Sequence, residues 1–227
     1  MDSESGTALR TITNLSVNNH DDASGDLCAV EYVNFVAGHP HSDRGNDVVS
    51  EVLAAFGREA NDHNEPFRKL AMANGRTGKP IILAMLNTAG TIEVERERAY
   101  YFANLARHAA TRALETAGLF GDADMLRALP SIKDRDTAEA MYGACTKINL
   151  VHADDMPRRY STHVVSSAGD TARHASNPDQ SVARCAAAAK SAYEAIDPDG
   201  RNGEAVLEAL LEACSIREAA VVTGATP

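Results

Sequence analysis

The chain has 227 residues, 44% apolar and 24% charged, with 22 basic side chains against 32 acidic ones and a formal net charge of −10. This is an ordinary globular balance, enough to bury a core without staples. The acidity argues against direct binding to a nucleic-acid phosphate backbone, which needs clustered Lys and Arg. Aromatic residues make up only 5%, Trp is absent and Ala is abundant, which favours closely packed helices over a β-sandwich.

Residues 1–23 are polar and without period, which predicts a mobile N-terminal tail. Ile12, Leu15 and Val17 give residues 9–17 enough apolar content for a short strand or an arm on a partner. Ser24 is placed to cap a helix that Gly38 closes. Nearly every residue between them is apolar, so this helix is expected to be buried and central. Glu31 and Asn34 interrupt it and share one face. A buried carboxylate needs a partner or a proton. Either an arginine from another helix, most naturally 96–112, or water at an edge satisfies Glu31, or Glu31 serves a site.

The loop His39-Pro40-His41-Ser42-Asp43 follows. Asn46 or Asp47 is expected to cap a second helix with the stripe Val49, Val52, Leu53, Phe56 and Ala60, ending in Asn61-Asp62-His63. Asn64-Glu65-Pro66 starts a third helix. Residues 75–80 carry phosphate-loop letters without the required spacing and read as a turn. Residues 81–86 are either a buried helical turn or the chain's best strand candidate; without a second strand to pair with, they read as helical.

Thr91 caps the longest helix, which runs to about Ala117 with Gly118 after it. It has a narrow face of Ala99, Phe102, Ala103, Ala106, Ala110 and Ala113. A short helix from Asp122 stops at Pro130. Asp136 and Glu139 make a capping-box pattern ahead of the stripe Met141, Ala144, Cys145, Ile148 and Val151. Past residue 156 the chain turns Ala-rich. Asn177-Pro178-Asp179-Gln180 starts a helix to Ile196, and the last helix runs from Glu204 to about Arg217. The loop from Asp197 invites a calcium reading, but Arg201 and Asn202 depart from the pattern and turn chemistry accounts for it.

The expectation is an all-α helical bundle of about seven to nine helices, organised as tail 1–23, core helical domain 24–155, Ala-rich helical region 156–218 and frayed tail 219–227. Cys28, Cys145, Cys185 and Cys214 form no C-x-x-C pair and are expected to be free thiols in a reducing compartment. The N-terminus has no secretion signal, and no apolar run approaches the roughly 20 residues of a membrane span. These features predict a cytoplasmic protein.

The pattern Cys28-Ala29-x-Glu31, Ala37-Gly38, Ser42-Asp43, Val52-Leu53-Ala54-Ala55-Phe56 and Asn61-Asp62 resembles a family of small helical proteins from actinobacteria and their phages. The resemblance extends weakly through 96–113 and Leu126-Arg127-Ala128-Leu129-Pro130. It implies a source and a motif, and no activity. Family members usually carry Glu and Trp where this chain has His39 and His41, so a histidine site is not implied as a family trait.

Two function classes follow. The first is a helical interaction or sequestering protein, such as an oligomeric phage or host-defence accessory factor. Its partner would be a protein or a second copy, with Ala-rich faces packing within or between chains. The second is a small hydrolase acting on a nucleotide or phosphoester. Its candidate catalytic residues are Glu31, Asp43 and Asp62, with Asn34, Ser42 and Asn61 as ligand-binding candidates. No cofactor is predicted, and a divalent metal stays open. His39, His41 and Asp43 have ligand chemistry but are too few to close a site.

Overall fold

A computed structural model describes residues 15–17, 27–39, 42–72, 83–152, 159–179 and 181–217. Among them the chain forms nine helices and no strand: α1 (Ala29–Val36), α2 (Glu51–His63), α3 (Glu65–Met72), α4 (Ile92–Thr116), α5 (Phe120–Arg127), α6 (Arg135–His152), α7 (Arg159–Ala175), α8 (Val182–Ile196) and α9 (Gly203–Ser215). The protein is all-α. No helix among the described residues is long and apolar enough to cross a membrane.

The chain divides into two compact units, Met1–Thr91 with Asp199–Pro227, and Ile92–Pro198. This differs from the expected boundary near 155. The last helix belongs with the first three, and the Ala-rich helices α7 and α8 complete the bundle that α4 begins. Composition alone placed the division where Ala becomes frequent, but an element joins whichever unit buries its apolar face.

In the first unit, α1, α2, α3 and α9 enclose Val30, Val33, Leu53, Phe56, Phe67, Val206 and Leu210, all fully buried. Two glycines allow α9 to enter. A Cβ on Gly200 would lie 2.1 Å from the His63 carbonyl oxygen, and one on Gly203 would lie 2.6 Å from the Phe67 nitrogen. Gly200 also has φ +64°, a left-handed conformation that glycine adopts without strain. The Asp-rich loop is thus a close-approach turn, and its Asn202 caps α9 by accepting the Ala205 N–H at 3.3 Å.

Several helix starts differ from the sequence reading. Ser24 lies outside the described residues, and Cys28 is the N-cap of α1. α2 begins at Glu51 behind Ser50, whose hydroxyl accepts the Leu53 N–H at 3.2 Å. Asn46 instead folds the preceding turn by accepting the Val48 and Val49 N–H groups, each at 2.9 Å. Asn64 caps α3 through the Phe67 N–H at 2.6 Å. Within the expected mobile tail, Leu15 is buried and the Ser16 N–H bonds to the Leu27 carbonyl at 3.0 Å. These residues are docked on the fold; 1–14 and 18–26 lie outside the described residues.

In the second unit α4, α7 and α8 pack together, with α6 against α7 and α5 against α4. The alanine face of α4 and Ala188, Ala189 and Ala192 of α8 are buried, so these faces serve the chain's own core. Gly169 of α7 fits against α6, where a Cβ would stand 3.0 Å from that of Cys145. Arg98 and Glu95 pair at 2.8 Å on buried turns of α4. α4 also holds the 129–132 connection: Arg107 donates to the Leu129 and Pro130 carbonyls at 2.6 and 2.7 Å, and Asn104 brackets both polar groups of Ile132. Asp134 starts α6 by accepting the Thr137 N–H at 2.9 Å, in place of the expected Asp136–Glu139 box.

Candidate functional site

The start of α1 gathers two of the candidates. A helix N-terminus leaves its first N–H groups without intrahelical acceptors. The Glu31 carboxylate reaches back to accept the Cys28 N–H at 2.6 Å, while the Glu31 N–H points at the Cys28 sulfur at 3.4 Å. This is a capping box with a thiol in the place of the usual hydroxyl. The next N–H, of Ala29, donates to the Asn61 side-chain carbonyl at 3.2 Å, and the Asn61 amide donates to the Ser16 carbonyl at 2.6 Å. Glu31 and Asn61 are both fully buried. Glu31 therefore has a partner other than the expected arginine, a backbone N–H three residues away.

Asn34, also buried, organises the loop that follows α1. Its amide donates to the Ser42 and Arg44 carbonyls at 2.7 and 3.1 Å, and its oxygen accepts from Asn46 at 2.9 Å. Ser42 accepts the Arg44 N–H at 3.1 Å. Asp43 gives its backbone carbonyl to Arg58 at 2.6 Å. Asp62 accepts from Asn61 at 3.3 Å.

Of the metal candidates, His39 faces Asp47 at 3.7 Å and His41 lies outside the described residues. Among the described residues no three His, Cys, Asp or Glu side chains gather as an ion requires. All four cysteines are free and buried. Burial pushes the Cys145 thiol up to about 12 and the Cys185 thiol up to about 11, and drives Cys28 up as well.

A second place went unseen in the sequence. Leu150 is 76% exposed and Val151 69% at the end of α6, with Tyr142 37% exposed two turns earlier. Beside them a groove of about 240 Å³ runs between α6 and α7, walled by Tyr142, Cys145, Asn149, Leu150, Gly169 and Asp170. The Asn149 side-chain oxygen is buried and has no hydrogen-bond partner among the described residues. The expected stripe placed Val151 inside. The buried line instead runs Met141, Cys145, Ile148 and then His152, whose ring nitrogen meets Asp122 at 2.8 Å. The signal was the spacing of the stripe: Met141, Cys145 and Ile148 run at intervals of four and three residues, which carries the line on to His152 and leaves Leu150 and Val151 off it.

Comparison with family models, with curated proteins and with solved structures gives no match. The class defined by the described residues is an all-α protein of two helical units, with a packed polar network around α1 and an exposed apolar edge on α6.

Proposed function

We propose that this chain is a cytoplasmic helical interaction protein that assembles with a second copy of itself through the outer face of α6. The carrying observation is the exposure of Leu150 and Val151 side by side on one helix. Burying each contributes about 1.5–3 kcal/mol, so a helix that presents both to water gains from a partner. The candidate residues of the hydrolase reading, Glu31, Asn34 and Asn61, are engaged in caps and loop bonds, and no observation favours that reading over assembly.

Sedimentation velocity from low to high micromolar protein tests the proposal. The expected result is a species heavier than the 24.1 kDa chain that Leu150→Glu returns to monomer mass without loss of helical circular dichroism. A monomer across the whole range overturns it.

A further inference from the structure

We infer that the α6–α7 groove is a receptor for a basic side chain, and that the side chain it receives is Lys147 of a second copy of this chain. The inference rests on the reading of α6 as the assembling face and adds the residues that fix its register.

The groove offers acceptors and no cation. The Asn149 oxygen in its wall is buried and unbonded among the described residues. Asp170 adds a carboxylate at the rim. Its intrachain partner is Arg173 at 3.1 Å, and both side chains are about half exposed, a type of pair that contributes little and leaves the carboxylate free to take a second donor. Tyr142 and Leu150 supply apolar walls for an aliphatic stem, the arrangement in which lysine buries its methylenes and keeps its ammonium on polar groups. At about 240 Å³ the groove is below the size of pockets that enclose drug-sized ligands and suits one side chain.

The complementary group sits on the same helix. Lys147 is exposed and makes no ion pair among the described residues. It follows Thr146, a groove residue, by about 100° of helix rotation, so it faces outward. It shares that face with Gly143, Leu150 and Val151, at helical spacings of four, seven and eight residues from Gly143. A Cβ on Gly143 would meet nothing within 4 Å, which leaves room for another helix to come close. In a two-fold interface residue i meets j and j meets i. Lys147 of each copy then enters the groove of the other, with Leu150 and Val151 covered between them. The Lys147 ammonium and the Asp170 carboxylate are thereby brought together twice.

The test is a charge swap in the full-length chain, read by sedimentation velocity. Lys147→Glu alone places a carboxylate opposite Asp170, and Asp170→Lys alone places an ammonium opposite Lys147. Each is expected to weaken self-association by about tenfold or more. Mixing the two variants restores both attractive pairs in the heterodimer and is expected to recover association close to wild type, which also shows that both variants are folded. If both reversals leave association unchanged, or the mixture fails to recover, the Lys147 assignment is overturned. If Leu150→Glu still dissociates the protein in that case, the assembling face stands without it. A wild-type chain that stays monomeric overturns both.

Discussion

Replacing Glu31 distinguishes a cap from a salt-bridge partner. The structure gives the carboxylate a 2.6 Å bond from the Cys28 N–H, on a residue with no solvent exposure. Glu31→Ala strands that donor, which costs about 1–3 kcal/mol, and removes packed side-chain atoms at the same time. A total of about 2–4 kcal/mol follows, above the roughly 0.5–2 kcal/mol of a lost cap alone because buried side-chain atoms are lost with it. At about 2–4 °C per kcal/mol for a chain of this length, melting falls by about 4–16 °C. Glu31→Gln keeps a side-chain oxygen in place, and Gln serves in capping boxes as well as Glu. It exchanges a charge-assisted bond for a neutral one, a loss of about 1 kcal/mol. The assay is thermal unfolding by circular dichroism together with hydrogen exchange at the amides of α1. The two substitutions should separate clearly, with exchange faster throughout α1 in Glu31→Ala. If Gln is as damaging as Ala, near the 3–5 kcal/mol of a broken buried ion pair, the capping account is refuted.

Asn61→Ala removes the acceptor of the Ala29 N–H and the donor to Ser16. Faster exchange at Ala29 is expected, and Asn61→Asp should protect Ala29 while still losing the Ser16 bond. Gly200→Ala drives a methyl onto the His63 carbonyl at a left-handed φ; a loss of about 2 kcal/mol or more in urea unfolding is expected, and an unchanged midpoint would show that α9 is not held at this turn. The buried thiols set an alkaline limit. Cys145 is raised from 9.0 to about 12, so the folded state holds its proton where the unfolded chain has released it. Stability from this group is complete below pH 9, declines above it and is gone past pH 12. Urea midpoints that stay flat from pH 8 to 11 would contradict this. Below pH 9 a thiol reagent should label Cys145 and Cys185 only on unfolding.

Much of the secondary structure was legible because its causes are local. Asn64 before Pro66 and Thr91 before a long amphipathic run each sit within a residue or two of an observed helix start. Gly118, after the longest helix, adopts the φ of +74° that its position requires. Even where the cap was misplaced, as with Ser50 for Asn46, the helix was present. The site around α1 was legible only as a set of residues that demanded explanation. Glu31 and Asn34 stood out as polar groups on a buried helix and Asn61 only as the polar end of the next one; all three are among the buried polar residues of the fold. What they bond to could not be read, because an N–H, a carbonyl or a cation satisfies such groups equally well on paper.

The sequence by itself determined that this chain is helical, where most of its helices lie, and that alanine and small aliphatic residues would make up much of its core. Those outcomes depend on propensity, period and capping, which act over a few residues. Only the tertiary structure decided that α9 returns to the first unit, that the alanine faces of α4 and α8 are used within the chain, and that Val151 turns outward beside Leu150 while His152 turns in toward Asp122. Each is a choice among partners distant in sequence, made by which faces fit at close range. Gly200 and Gly203 permit one such fit by having no Cβ where α9 meets the His63 and Phe67 backbone.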